Sequence, residues 1–135
     1  MRVEEHGLGE FADALRAASR GIVDDAEKIT AKTCLEIKKQ AADIVRGISH
    51  APNLGRTFNY DVEVSGDTVI GEVGADITKQ VGGGPHRTPG SLDHFIEDGS
   101  VRNAPVPHWR PAADKQVPLW VDYLEKAVAE AIDDR

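Results

Sequence analysis

One cysteine, one methionine and an aromatic content of 5% are the scarcities of this 135-residue chain. Cys34 has no second thiol with which to close an intramolecular disulfide or begin a thiolate zinc site. Its place near the buried edge of a helical stretch makes it a small core residue. Long apolar runs are missing: none approaches the roughly 20 residues needed to span a bilayer. The opening MRVEEHGLGE carries no apolar leader core, so synthesis and retention in the cytosol are expected. Basic charge is also in deficit, with 16 Lys and Arg against 23 Asp and Glu and a formal net charge of −7. That argues against gripping nucleic acid through a basic face and permits the reverse, an acidic wall that DNA passes without sticking.

Signatures of catalysis are missing too. There is no serine elbow, triad order or nucleotide fingerprint. Gly82-Gly83-Gly84 lacks the Lys-Ser/Thr and the helix that would make a phosphate cradle. The five histidines are His6 in an N-terminal tail, His50 at a helix end, and His86, His94 and His108 in loop and strand. None pairs with a carboxylate at ligand spacing on one helix face. Glu97 and Asp98, being adjacent, point to opposite sides of a strand, and an ion pair of Asp98 with Arg110 or Arg102 is a better reading than acid–base work. The sequence therefore assigns no catalytic residue, no metal and no cofactor.

What is present is a strong periodic pattern. From about Gly9 to Ser49 the reading is helical. Phe11, Leu15 and Ala18 lead into a stripe of Ile22, Ala26, Ile29, Thr33, Ile37, Ala41, Ile44 and Ile48. Unbroken, that helix would run roughly 60 Å, longer than the ~35–40 Å breadth of a domain this size. Either it breaks at Gly21 to Asp25, where Asp24 and Glu27 are spaced as a capping box, or it projects and neighbouring subunits cover it; a break is the expectation. Ala31, Leu35 and Ala42 fall off the stripe, as scattered surface residues or as a second contact line in an oligomer. Pro52 and its neighbours stop the helix. Phe58, Tyr60, Val62 and Val64 then alternate with polar residues, Ser65-Gly66-Asp67 turns, and Thr68 to Gly74 returns as a hairpin.

Residues 76–91 are a long loop rich in Gly and Pro. Leu92 to Glu97 reads as a third strand, closed by a turn that needs Gly99 at positive φ. Val101 to Pro107 is irregular. Trp109-Arg110-Pro111-Ala112 starts a helix with Pro111 in its first turn. Since Pro118 disfavours a helix interior, residues 111–116 are expected as a kinked start. Val117, Trp120, Leu124, Val128 and Ala131 would form the buried stripe, with Asp122, Glu125, Lys126, Glu130 and Asp133 facing water. The fold expected is one α+β domain over 1–135, with residues 1–8 a flexible tail. It has a long N-terminal helical region, an antiparallel sheet of three or four strands, and a C-terminal helix packed on the sheet.

In order, Ala51-Pro52-Asn53-Leu54-Gly55-Arg56, Phe95-Ile96-Glu97-Asp98-Gly99-Ser100 and Pro107-His108-Trp109-Arg110-Pro111-Ala112 resemble the small neck or tail-completion proteins of long-tailed double-stranded DNA phages. That family joins a long helix, a Pro-Gly connector, a hairpin, an aromatic-apolar-Glu-x-Gly-Thr/Ser turn and an Arg-Pro-Ala helix start. Leu54 stands where the family usually has threonine. The resemblance spans about Phe11 to Ile132. It implies a structural virion protein, made in the bacterial host cytoplasm and placed at the head–tail junction. Six copies, as a rule, form a ring between head-closure proteins and the tail tube, and genomic DNA threads the lumen without sequence-specific binding. Interfaces between subunits or rings would then fall on Phe95, Glu97, Asp98, Arg102, Trp109 and Arg110, on Gly83, His86 and Arg87 of the long loop, and on Leu35. The tail terminator, a ring capping the tube, is the nearest alternative. From other classes come a small metal- or ligand-binding enzyme domain using His94, His108 and Glu97, and a regulatory binding module with one host partner.

Overall fold

A computed structural model describes residues 6–48, 53–76, 93, 96–99 and 104–133. Helix α1 spans His6–Arg46 without interruption, so it begins inside the expected N-terminal tail. The break expected at Gly21 to Asp25 does not occur. Gly21 lies in open space, and the ~1 kcal/mol a helical glycine costs is too little to divide so long a helix. Asp24 and Glu27 stay on its exposed side instead of capping a second one.

A 3-10 turn, Leu54–Thr57, leads into strand β1, Phe58–Ser65, which pairs antiparallel with β2, Thr68–Ala75. Gly66 turns the hairpin at φ 61°, a conformation that suits glycine. Phe58, Tyr60, Val62 and Val64 stand opposite Ala75, Val73, Gly71 and Val69. Because side chains alternate along a strand, these eight share one face, which packs on α1. Gly71 comes so close to α1 that a Cβ there would sit 2.6 Å from Cys34 Sγ and 2.7 Å from Thr30 Cγ2.

Among the described residues the sheet has two strands, not three or four. The third strand expected at Leu92 to Glu97 is replaced by helix at Asp93 and at residues 96–98. A short apolar run fits either state by pattern alone. Here helical spacing turns the two acidic side chains, four residues apart, toward the same partners. Gly99 does adopt positive φ, 82°.

Helix α2 spans Trp109–Asp133. The kinked start expected at 111–116 is absent, and Pro118 lies within the helix. Pro111 occupies its first turn, where a missing N–H costs nothing. Helix α2 runs along α1, tied by Trp120 Nε1 donating to Thr30 Oγ1 at 3.0 Å, and touches the sheet where Trp109 meets Phe58. Val117 and Val128, expected in its buried stripe, are 42% and 39% exposed. Ala112 is buried, and the inward positions Gln116, Trp120, Leu124, Ala127 and Ala131 are half-buried.

The core gathers at one end: Ile37, Ala41 and Val45 of α1 with Leu54, Phe58, Ile96 and Ala112. The α1 stripe is rotated from the expected one, with Thr30, Cys34, Ile37, Ala41 and Val45 buried and Ile44 37% exposed. Burial on α1 is deepest between its two neighbours, and Thr30 lies there, bonded to Trp120 and against Gly71. Ala42 packs beside the core under Gly55, while Ala31 and Leu35 are half-buried.

Candidate functional site

The first turn of α2 presents backbone N–H groups that have no partner within the helix. Glu97 supplies one. Its Oε1 accepts from His108 N at 2.9 Å and Trp109 N at 2.8 Å, and its Oε2 from Arg110 N at 3.4 Å. One helical turn earlier, Asp93 bridges two side chains: Oδ1 meets His108 Nε2, and Oδ2 accepts from Trp109 Nε1 at 2.7 Å. The other ring nitrogen, His108 Nδ1, lies 3.0 Å from the Val106 carbonyl and 3.2 Å from Glu97 Oε1. Val106 N in turn donates to the Ile96 carbonyl at 2.6 Å. Two carboxylates thus seal a loop onto a helix start.

Both nitrogens of His108 face acceptors, an arrangement that only the doubly protonated ring, an imidazolium, satisfies at both positions. It is fully buried and lies parallel to the Phe58 ring at 5.5 Å, with Trp109 tilted against both. Burial pulls the His108 pKa down. The Asp93 hydrogen bond, the Val106 carbonyl and the charges of Asp93 and Glu97 outweigh it and hold the pKa above its ordinary value. For Glu97, burial pushes upward, but the N–H donors of His108, Trp109 and Arg110 and the imidazolium charge bring its pKa below the usual one. The positive end of the α2 dipole favours the same ionised carboxylate. An imidazolium with both N–H groups engaged offers no lone pair to a metal or substrate. Among the described residues, no group of three or more His, Cys, Asp or Glu is placed to hold a metal ion.

Of the residues singled out in the sequence, Glu97, Asp98, Trp109 and Arg110 meet here. Asp98 Oδ1 lies 3.9 Å from Arg110 Nη2 in an exposed pair. Leu35, half-buried on α1, takes no part in these contacts. Phe95, Arg102, Gly83, His86, Arg87, His50 and His94 lie outside the described residues. One member was missed. Asp93 went unnoticed although an Asp and a Glu four apart share one helix face. His108 was named with Glu97 only under the metal- or ligand-binding alternative, and otherwise read as a scattered histidine, because the second carboxylate it meets is fifteen residues away.

No family model, curated protein or solved structure matches the chain.

Beyond the sealed end, the surfaces are open. The outer sheet face carries Asp61, Glu63 and Glu72, and Asp61 stands directly opposite Glu72, an arrangement in which like charges repel. Among the described residues, both outer margins of the hairpin lack a strand partner. At the far end a groove of about 490 Å³ runs between α1, the end of α2 and the hairpin turn, lined by Leu15, Ala18, Ile22, Val23, Ile132 and Asp67 among others. No helix among the described residues is long and apolar enough to cross a membrane.

Proposed function

We propose that this chain is a structural virion protein of a long-tailed phage. It forms a ring at the head–tail junction that joins head-closure proteins to the tail tube and lets DNA pass through the lumen. The observation that carries the reading is a subunit incomplete by itself. One end is sealed by buried charge and aromatic packing. The other exposes a long helix, an apolar groove and a hairpin whose margins have no strand partner among the described residues. Open strand edges are a liability for a lone protein, and closed cyclic symmetry uses them without fibre growth.

The resemblance adds to this. Its two C-terminal motifs, around Glu97-Asp98-Gly99 and Trp109-Arg110-Pro111-Ala112, are one physical unit in which the first caps the second. The acidic outer sheet face suits a lumen past which a polyanion slides. Of the residues named for the enzyme reading, His108 is buried with both ring nitrogens engaged. Electron microscopy of the particle, with the chain located by labelling, tests the proposal. A ring at the collar is expected, and one at the tube's end would assign the chain to the tail terminators instead. A monomer bound to a single host protein, or a ring with an electropositive lumen, would overturn it.

A further inference from the structure

We propose that the groove between α1, the end of α2 and the hairpin turn receives the projecting first turns of α1 from a second copy of this chain. The inference rests on the reading of the chain as a self-assembling subunit and names the surface by which copies meet. The Trp120–Thr30 hydrogen bond sets the register of the two helices. From it, α2 ends near the level of Ala17, so some ten residues of α1 extend beyond α2 by roughly 16 Å. Phe11 and Leu15, four apart and hence on one face, are 53% and 46% exposed there. The same apolar surface runs on through the groove, which Leu15 and Ile132 both line. It continues up one flank of α2 through Val128, Val121 and Val117, each 39–42% exposed. The inserting end of one copy and the receiving flank of the next together bring roughly 400–500 Å² of apolar area into one contact, small for a lone pair, and a closed ring repeats that contact at every subunit. A second copy supplies the matching piece: a helical end bearing Phe11, with no neighbour beside it among the described residues.

Two single variants of the full chain, Phe11→Cys and Ile132→Cys, mixed in equal amounts under mild oxidation, test the docking. Both sites are exposed, the native Cys34 is buried, and circular dichroism verifies the fold of each variant. The mixture is expected to give a covalent dimer at least tenfold more abundant than a mixture of Phe11→Cys with Glu130→Cys, whose exposed site lies across α2 from Ile132. Ala18→Glu placed in the Ile132→Cys chain should abolish that excess. Equal yields from both mixtures, or no crosslink in either, overturn the docking. Sedimentation of the unmodified chain separates the two failures. Oligomers that form without the crosslink leave the ring reading standing, whereas a crosslink from a chain that never enters a collar leaves the docking standing alone.

Discussion

At His108 a positive charge is held out of water by two negative ones and by the start of a helix. Breaking such a group by removing one partner strands the others, at a cost of about 3 kcal/mol or more. Asp93→Ala is therefore expected to lower unfolding stability by about 3 kcal/mol, measured by urea denaturation, and to free the Trp109 indole N–H as well. The two titrations set a pH window. His108, raised above its ordinary 6.5, contributes stability that is complete below that value and is lost as pH rises through its folded pKa. Glu97, lowered below 4.5, contributes stability that is present above that value and lost as pH falls through its folded pKa. The melting temperature should hence fall as pH rises above about 6.5 through the folded pKa of His108, and His108→Gln should flatten that decline. Glu97 and Trp109 stood out in the sequence as interface residues, and His108 beside Glu97 under the ligand-binding alternative. The pairing did not, because nothing local connects position 93 with position 108.

Each element shows a different degree of legibility. The hairpin was readable almost to the residue, since period-two alternation around Ser65-Gly66-Asp67 admits few other structures. The length of α1 was readable, but its continuity was not: a size argument for a self-contained domain favoured a break, and the helix instead projects. The segment holding Asp93 and Glu97 was misread as a strand, because Phe95 and Ile96 look alike in either state. The close approach of β2 to α1 at Gly71 carried no signal beyond a glycine in a strand. Gly71→Ala should push β2 off α1 and cost about 1–3 kcal/mol. Thr30→Ser with Cys34→Ala should restore part of that loss, as a double-mutant cycle would register.

Across the whole molecule, order should be uneven. The sealed end buries Ile37, Ala41, Val45, Leu54, Phe58, Ile96 and Ala112. The open end leaves Phe11, Leu15, Val64, Ile70 and Ile132 40–53% exposed. Local opening follows the density of buried contacts. In dilute protein, amides of residues 37–46 should exchange hydrogen slowest and those of 8–20 and 64–70 much faster. Raising the concentration should protect residues 11–23 and 128–132 ahead of the rest. Uniform protection along α1 at low concentration would contradict a molecule left open at one end.

Composition and periodicity by themselves determined the α+β class, the hairpin with its turn, and the place of Pro111 in a first helical turn. These are consequences of nearest-neighbour chemistry: alternation, helical spacing, glycine at positive φ and a proline in a first turn. Only the tertiary structure decided that α1 is unbroken, which of its faces is buried, and that Asp93, Glu97 and His108 form one charged cluster. Those outcomes depend on which distant groups meet, and a buried ionic contact fifteen residues apart leaves no periodic mark on the chain.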